Sequence, residues 1–389
     1  MKKFLSLLLA LALTLGLTGV LAAQPVSLLV WVGDDADQPW VEGVIERFKA
    51  ANPDTVFDIQ VGIQSESTAG ATVLTDVTAA ADVFTFPDDQ LNDLVNAGAL
   101  QPVSENTDAI ITANTEGSVA AAMIDGTLYA YPATADNGYF MFYNKSYFSE
   151  DDVKSFNRML DVAAAAGKKV SMELSSGWYL YSFFAGAGLE MALTDDRVSN
   201  ASNWNAADTE FTGVQVTEAI LDIAKHPGFV NQGDAEFQTG VKDGSVIAGV
   251  NGVWNANVAQ EAWGENYAAA PLPTFTVAGR EVQMASFAGY KLVGVNAYSD
   301  EVGWAMKLAE FMTSEESQIS RFEIRGQGPA NLNAGGSESV QGAPAIAALA
   351  AQSAYATTQR VGGNYWAPAA TFGAILAAGN PDNTDLQTL

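Results

Sequence analysis

Two short apolar runs in this chain end on pairs of carboxylates. VSLLVWVG (26–33) leads directly into Asp34 and Asp35, and ADVFTFP (81–87) leads into Asp88 and Asp89. Carboxylates in such positions can accept hydrogen bonds from hydroxyls or pair with ammonium groups. Acid–base hydrolysis would need two of them at a fixed separation, and no pair in the sequence meets that requirement. A third stretch, YAYPATADNGYFMFYNKSYF (129–148), is dense in aromatic rings around Pro132, Asp136, Asn137 and Asn144. Rings beside polar side chains at a chain crossing are one way to build a small-molecule site. Other chemistries are excluded by composition. With no cysteine there is no thiol nucleophile, disulfide or Cys-ligated metal centre. The single histidine, His226, stands in AKHPGF and reads as a cation at a helix C-terminus, so a Ser-His-Asp triad has little to draw on. No cofactor or metal is expected.

The elements that must position these residues follow from periodicity. The run 26–33 reads as a buried strand, and WVEGVIERFKAANP as a helix with Val41, Val44, Ile45 and Phe48 on one stripe and a stop at Asn52-Pro53. Phe57, Ile59 and Val61 then alternate with polar residues, as in a half-buried strand. This strand–helix–strand opening predicts α/β with a largely parallel sheet. Ligands of open α/β sheets bind beyond the carboxyl ends of strands, which makes Asp34, Asp35, Asp88 and Asp89 candidates. Pro132 to Asn137 reads as a turn or crossing rather than a strand. A length of 389 residues exceeds what one core usually organises, so two domains are expected, and 48% hydrophobic with 16% charged residues marks a folded chain. The net charge of −27 repels phosphate backbones and anionic lipid, so nucleic acid is not an expected partner.

Residues 1–23 have the three parts of a secretory signal peptide: Lys2 and Lys3, an apolar run from Phe4, then small residues ending at Ala22-Ala23. Leu17-Thr18-Gly19 resembles the start of a bacterial lipoprotein cleavage box, with Val20 where the lipid-bearing cysteine would stand. Export is the expectation, to the periplasm or cell surface, with membrane anchoring only if Val20 replaces a natural cysteine.

The order VSLLVWVGDD, ADVFTFPDDQLNDLVNAGALQPVSE, IDGTLYAYPATADNGYFMFYNKSYF, VIAGVNGVWNANV, YAAAPLPTF, FAGYKLVGVN, EFMTSEESQ and GGNYWAPAATFGAILAAG resembles extracellular solute-binding proteins of the maltose/maltodextrin-binding type, the receptor subunits of bacterial ABC sugar importers. The resemblance spans nearly the whole chain after residue 23. It implies a two-lobed α/β periplasmic-binding-protein fold with hinge crossings and a ligand cleft between lobes. The lobes would be 24–135 plus 286–333 and 136–285 plus 334–389, with Pro132 to Asn137 as the first crossing. It implies a non-catalytic monomer that binds a neutral oligosaccharide and delivers it to ABC permease transmembrane subunits by lobe closure. Matched position by position, Trp254 and Trp366 fall on stacking aromatics, and Trp178 with Tyr179 on a third aromatic position. Asp89 falls on a sugar-binding acid, and Asp34, followed by Asp35, on a polar position after the first strand. Asp136 or Asn137 falls on a hinge acid. Phe86 stands where the family's maltose binder has a tryptophan, and Trp40 would add another ring. Two cationic donors of that binder are missing, since Asp35 and Gln90 stand in their places, which leaves an acidic cleft. Two other readings remain: a receptor for a cationic solute such as a polyamine, using carboxylates and cation–π contacts, and a secreted glycoside hydrolase.

Overall fold

The computed structural model describes residues 24–389. The signal-peptide reading and the question of Val20 lie outside the described residues. One mixed sheet of ten strands runs through the molecule: β1 (Val26–Val32), β2 (Phe57–Ile63), β3 (Val83–Pro87), β4 (Ala130–Asn144), β5 (Lys169–Ser171), β6 (Phe229–Val230), β7 (Val246–Gly252), β8 (Tyr267–Ala270), β9 (Ser286–Val295) and β10 (Ala356–Thr358). The path is β6-β5-β7-β4-β9-β3-β1-β2, with β8 added to β4 and β10 to β9. The strands next to β1 and β5 are parallel to them, as the opening pattern predicts. Where the two halves join, the pairing is antiparallel, through β3–β9, β9–β4 and β4–β7. The sheet is therefore mixed rather than largely parallel.

Local sequence explains the elements. Helix α1 (Gln38–Ala51) has Pro39 in its first turn, where a missing N–H costs nothing, and buries Trp40, Val41, Val44, Ile45 and Phe48. β3 is buried at all five positions, as expected of a strand covered on both faces. Gly294 of β9 makes room for it, since a Cβ there would come within 2.8 Å of the Phe86 ring. The segment Pro132 to Asn137, expected to be a turn, is instead the middle of the fifteen-residue β4. Tertiary pairing overrides its turn chemistry. Ala130–Gly138 pairs with β9, and Ala135 donates to Gly328 O (3.0 Å) from the other side. The irregularity that Pro132 and Gly138 foreshadow survives as register shifts on either side of Lys291.

β4 and β9 run through two cores. Tyr131, Ala133, Leu292 and Val293 pack with Val30, Trp40, Phe86 and Leu308. Tyr139, Met141 and Phe287 pack with Phe156, Leu180, Ile220 and Leu376. Phe140 and Phe142, on the opposite face of β4, join Phe237 and Trp263 in a smaller cluster. Strand alternation thus covers both faces of β4 in its second half. The protein is two-lobed, with one core in the first lobe, the larger core and the smaller cluster in the second, and β4 and β9 common to both lobes.

Phe86 has no exposed surface. Phe86→Ala should lower the unfolding free energy by about 3–5 kcal/mol, as cavity-forming substitutions of buried aromatics do. Urea denaturation of both proteins measures this, and a loss under about 1 kcal/mol would contradict the packing.

Candidate ligand-binding cleft

The first lobe offers carboxylates. β3 ends at Pro87, and a single 3-10 turn (Asp88–Gln90) carries the chain into helix α2 (Leu91–Asn96). Asp88 is buried and accepts the Tyr290 backbone N–H (3.0 Å). Burial pushes its pKa up to about 7, against the pull of that bond and of Arg360. Asp89 is half-buried and its Oδ1 has no partner. Burial and the neighbouring Asp88 charge push its pKa well up.

The other first-lobe candidates divide. Asp34 caps the turn after β1, accepting from Ala36 N (2.9 Å) and Asp37 N (3.1 Å), and its second oxygen pairs with Arg325 (2.8 Å). Asp35 is exposed beside it. Trp40 is not a ring of the cleft: it is buried in the lobe-one core and donates its indole N–H to Ser317 O (2.9 Å). Phe86 is likewise core, tilted against Phe84 at 5.5 Å. Both expectations fail because these residues sit on the buried faces of their elements.

The second lobe supplies rings. Trp254 follows β7 in a 3-10 turn (Val253–Asn255). Gly252 lets the indole lie back on the strand, since a Cβ there would meet its six-membered ring at 2.1 Å. The indole N–H donates to Asp234 Oδ2 (3.2 Å), and Asn251 and Asn255 both donate to Asp234 Oδ1 at 2.9 Å. Trp366 opens helix α3 (Trp366–Ala377) and is braced by Tyr365 (4.9 Å, 69°) and Phe287 (6.2 Å). Trp178 is half-buried and stacks on Phe287 at 5.5 Å and 24°, its indole N–H without a partner. Tyr179, next along the same helix, points into the core and donates to Asn251 Oδ1 (3.3 Å). It supports the Asn251–Asp234–Trp254 chain rather than presenting a ring.

The hinge strands form the floor. Asn137 donates to Gln359 (3.1 Å), and a Cβ on Gly289 would meet Asn137, Gln359 and Asp88 together. Asp136 belongs to the other end. It is buried and accepts the Gly328 N–H, and burial raises its pKa while Lys291 and Arg321 lower it. Sequence reasoning missed Lys291 and Glu66, whose Nζ and Oε2 lie 2.5 Å apart, and Arg321, which reaches Glu66 at 3.2 Å. Burial would raise the Glu66 pKa, but the two cations outweigh it and hold it at about 2. The signals were present: Glu66 lies just past the end of β2, and Lys291 is the one charge inside FAGYKLVGV. The lobes also touch through Asn257 to Ile324 O (3.1 Å) and through Arg197 to Asp125 (3.1 Å).

Chemically, the set offers indole faces for C–H surfaces of a ligand and carboxylates and amides for its hydroxyls. Among the described residues, no three His, Asp or Glu side chains gather as a metal set. His226 ends its helix, lies 3.4 Å from Asp161 and accepts the Gly228 N–H at its Nδ1 (3.1 Å).

The Asp88 shift has a stability consequence. An ordinary aspartate loses its proton near 3.8, whereas folded Asp88 keeps it to about 7. The folded state then holds the extra proton in that window, so stability falls as pH rises through it. Asp88→Asn, which still accepts from Tyr290, should raise the melting temperature at about pH 8 and change it little at about pH 4. Equal effects at both pH values would contradict the shift.

The match to a family model for bacterial extracellular solute-binding proteins covers residues 43–348. The galactooligosaccharide-binding protein of Bacillus subtilis (strain 168) is 25% identical over 313 residues, 77% of this chain and 73% of that one. A protein solved with acarbose is 34% identical and superposes with a TM-score of 0.81, over 94% of this chain and 98% of its own. The maltodextrin-binding protein MalE1 of L. casei BL23, solved without ligand, shares the fold at 24% identity and a TM-score of 0.75, over 94% and 96%. The fold, the paired lobes and these matches together establish that the chain belongs to the bacterial extracellular solute-binding protein family.

Proposed function

We propose that this protein is a non-catalytic receptor for a neutral oligosaccharide, which it passes to the transmembrane subunits of an ABC permease. The observation that carries this reading is the Trp254 ring of one lobe set 5.4 Å from the Lys291 ammonium, which pairs with Glu66 of the other. Trp254 is held in place by its own Asp234–Asn251–Asn255 network. Sugars present C–H faces and hydroxyls together, and this arrangement offers a partner to each. Trp254, Trp366, Trp178, Asp89 and Asn137 are the proposed contacts, with Asp34 and Asp35 at the rim. The relatives support the class of ligand, since their own ligands are named as galactooligosaccharide, acarbose and maltodextrin.

The lobe limits, 24–135 plus 286–333 and 136–285 plus 334–389, belong to the same proposal. Their support is that buried side chains divide into separate cores about β4 and β9. A member of this family is an exported protein. Cleavage near Ala22 or Ala23, action as a monomer and absence of turnover complete the reading.

A melting-temperature screen against maltodextrins, galactooligosaccharides and acarbose tests it. A ligand at 100 times its dissociation constant should stabilise the protein by about 2.7 kcal/mol. Chromatography after prolonged incubation should recover the oligosaccharide unshortened. A screen in which no saccharide shifts the melting point, or the appearance of shorter products, would contradict the proposal.

A further inference from the structure

Lys291 is the only charged residue of β9, at the point where that strand passes from one lobe to the other. Phe287, four residues earlier, is in the second core, and Leu292, the next residue, is in the first. The Lys291 side chain is only 10% exposed. Its ammonium lies 2.5 Å from Glu66 of lobe one and 5.4 Å from the centre of the Trp254 ring of lobe two. Arg321, 2% exposed, fixes Glu66 from the far side at 3.2 Å. This is a buried, braced ion pair with an indole face above it, unlike the exposed pairs elsewhere on the molecule, such as Lys154–Asp151.

Without that ammonium, the same place would be a receptor for an organic cation. An indole face draws cations. Trp254 has Asp234 at its N–H edge, and Glu66 lies on the other side of the Lys291 ammonium. The chain as a whole carries −27, which raises the local concentration of any polyamine. Here the chain's own lysine holds the cation position. We propose that Lys291 is a specificity-determining residue of the cleft. It fills the cation place between Trp254 and Glu66, bars cationic solutes, and turns an acidic, ring-lined site into one for neutral polyhydroxyl ligands. An ammonium has three N–H donors. One serves Glu66, and in this assignment the others serve ligand hydroxyls. This rests on the oligosaccharide reading for its second half only; the exclusion of cations stands on the ion-pair and ring geometry.

The test is calorimetric titration of wild type, Lys291→Met and Lys291→Gln with spermidine, putrescine and whichever oligosaccharide the melting screen selects. Wild type should give no heat with either polyamine. Lys291→Met should bind spermidine at least about tenfold more tightly than wild type, in a reaction abolished by high salt, and lose about tenfold in oligosaccharide affinity. Lys291→Gln, which can still hydrogen-bond Glu66, should behave alike and serves if the methionine variant does not fold, as judged by circular dichroism. Spermidine binding to wild type as tightly as to the variants, or to none of the three, overturns the proposal. Spermidine uptake by the variants alongside a wild type that binds no saccharide would instead sink the receptor reading and leave the exclusion of cations intact.

Discussion

Among the described residues, the antiparallel ladder between β4 and β9 is the regular structure whose side chains enter the cores of both lobes. Its first half lies in the core with Trp40 and Phe86, and its second half in the core with Phe156 and Ile220. Whatever separates Asp89 from Trp366, or Glu66 from Trp254, is set by how these two strands are paired. The register shifts about Lys291 mark where the ladder is least regular. A hinge works by concentrating backbone adjustment in a few residues while the packed lobes move as units. The side chains at this place, Asp136, Asn137 and Lys291, are each tied to a group outside the ladder: Gly328, Gln359 and Glu66.

The same geometry explains how so acidic a chain can keep an ordered cleft. Most of its acids there have partners. Glu66 has Lys291 and Arg321, Asp34 and Asp37 share Arg325, and Asp234 accepts three neutral donors. Asp88 and Asp89 lack a direct cation and respond by holding their protons to higher pH. A protonated carboxyl can both donate and accept, which suits hydroxyl partners better than ammonium ones. The distribution of cations thus favours a neutral ligand, although a charge count alone points towards a basic one.

Much of this was legible in the sequence, for identifiable reasons. Asp88 and Asp89 could be found because a buried strand announces its own end, and ligand sites lie beyond such ends. Trp254 and Trp366 follow recognisable motifs, and the structure holds them by Asp234 and by Tyr365 respectively. Trp40, Phe86 and Tyr179 were misjudged because ring chemistry does not reveal which face of a helix or strand is buried. The turn expected at Pro132 to Asn137 was overridden by β9 on one side and Gly328 on the other, partners distant in sequence. Lys291 and Glu66 escaped notice for a related reason: 225 positions separate them, and only the crossing of β9 brings them together.

We propose that Trp254 and Trp366 present their rings to a saccharide held against lobe one. The most direct measurement is the affinity of Trp254→Ala and Trp366→Ala for an oligosaccharide that binds wild type, with folding confirmed by the melting curve. Each should lose about 2 kcal/mol of binding, roughly thirtyfold in dissociation constant, as buried aromatic anchors do. Affinities unchanged in both folded variants would show that the rings are packing residues and that the ligand lies elsewhere.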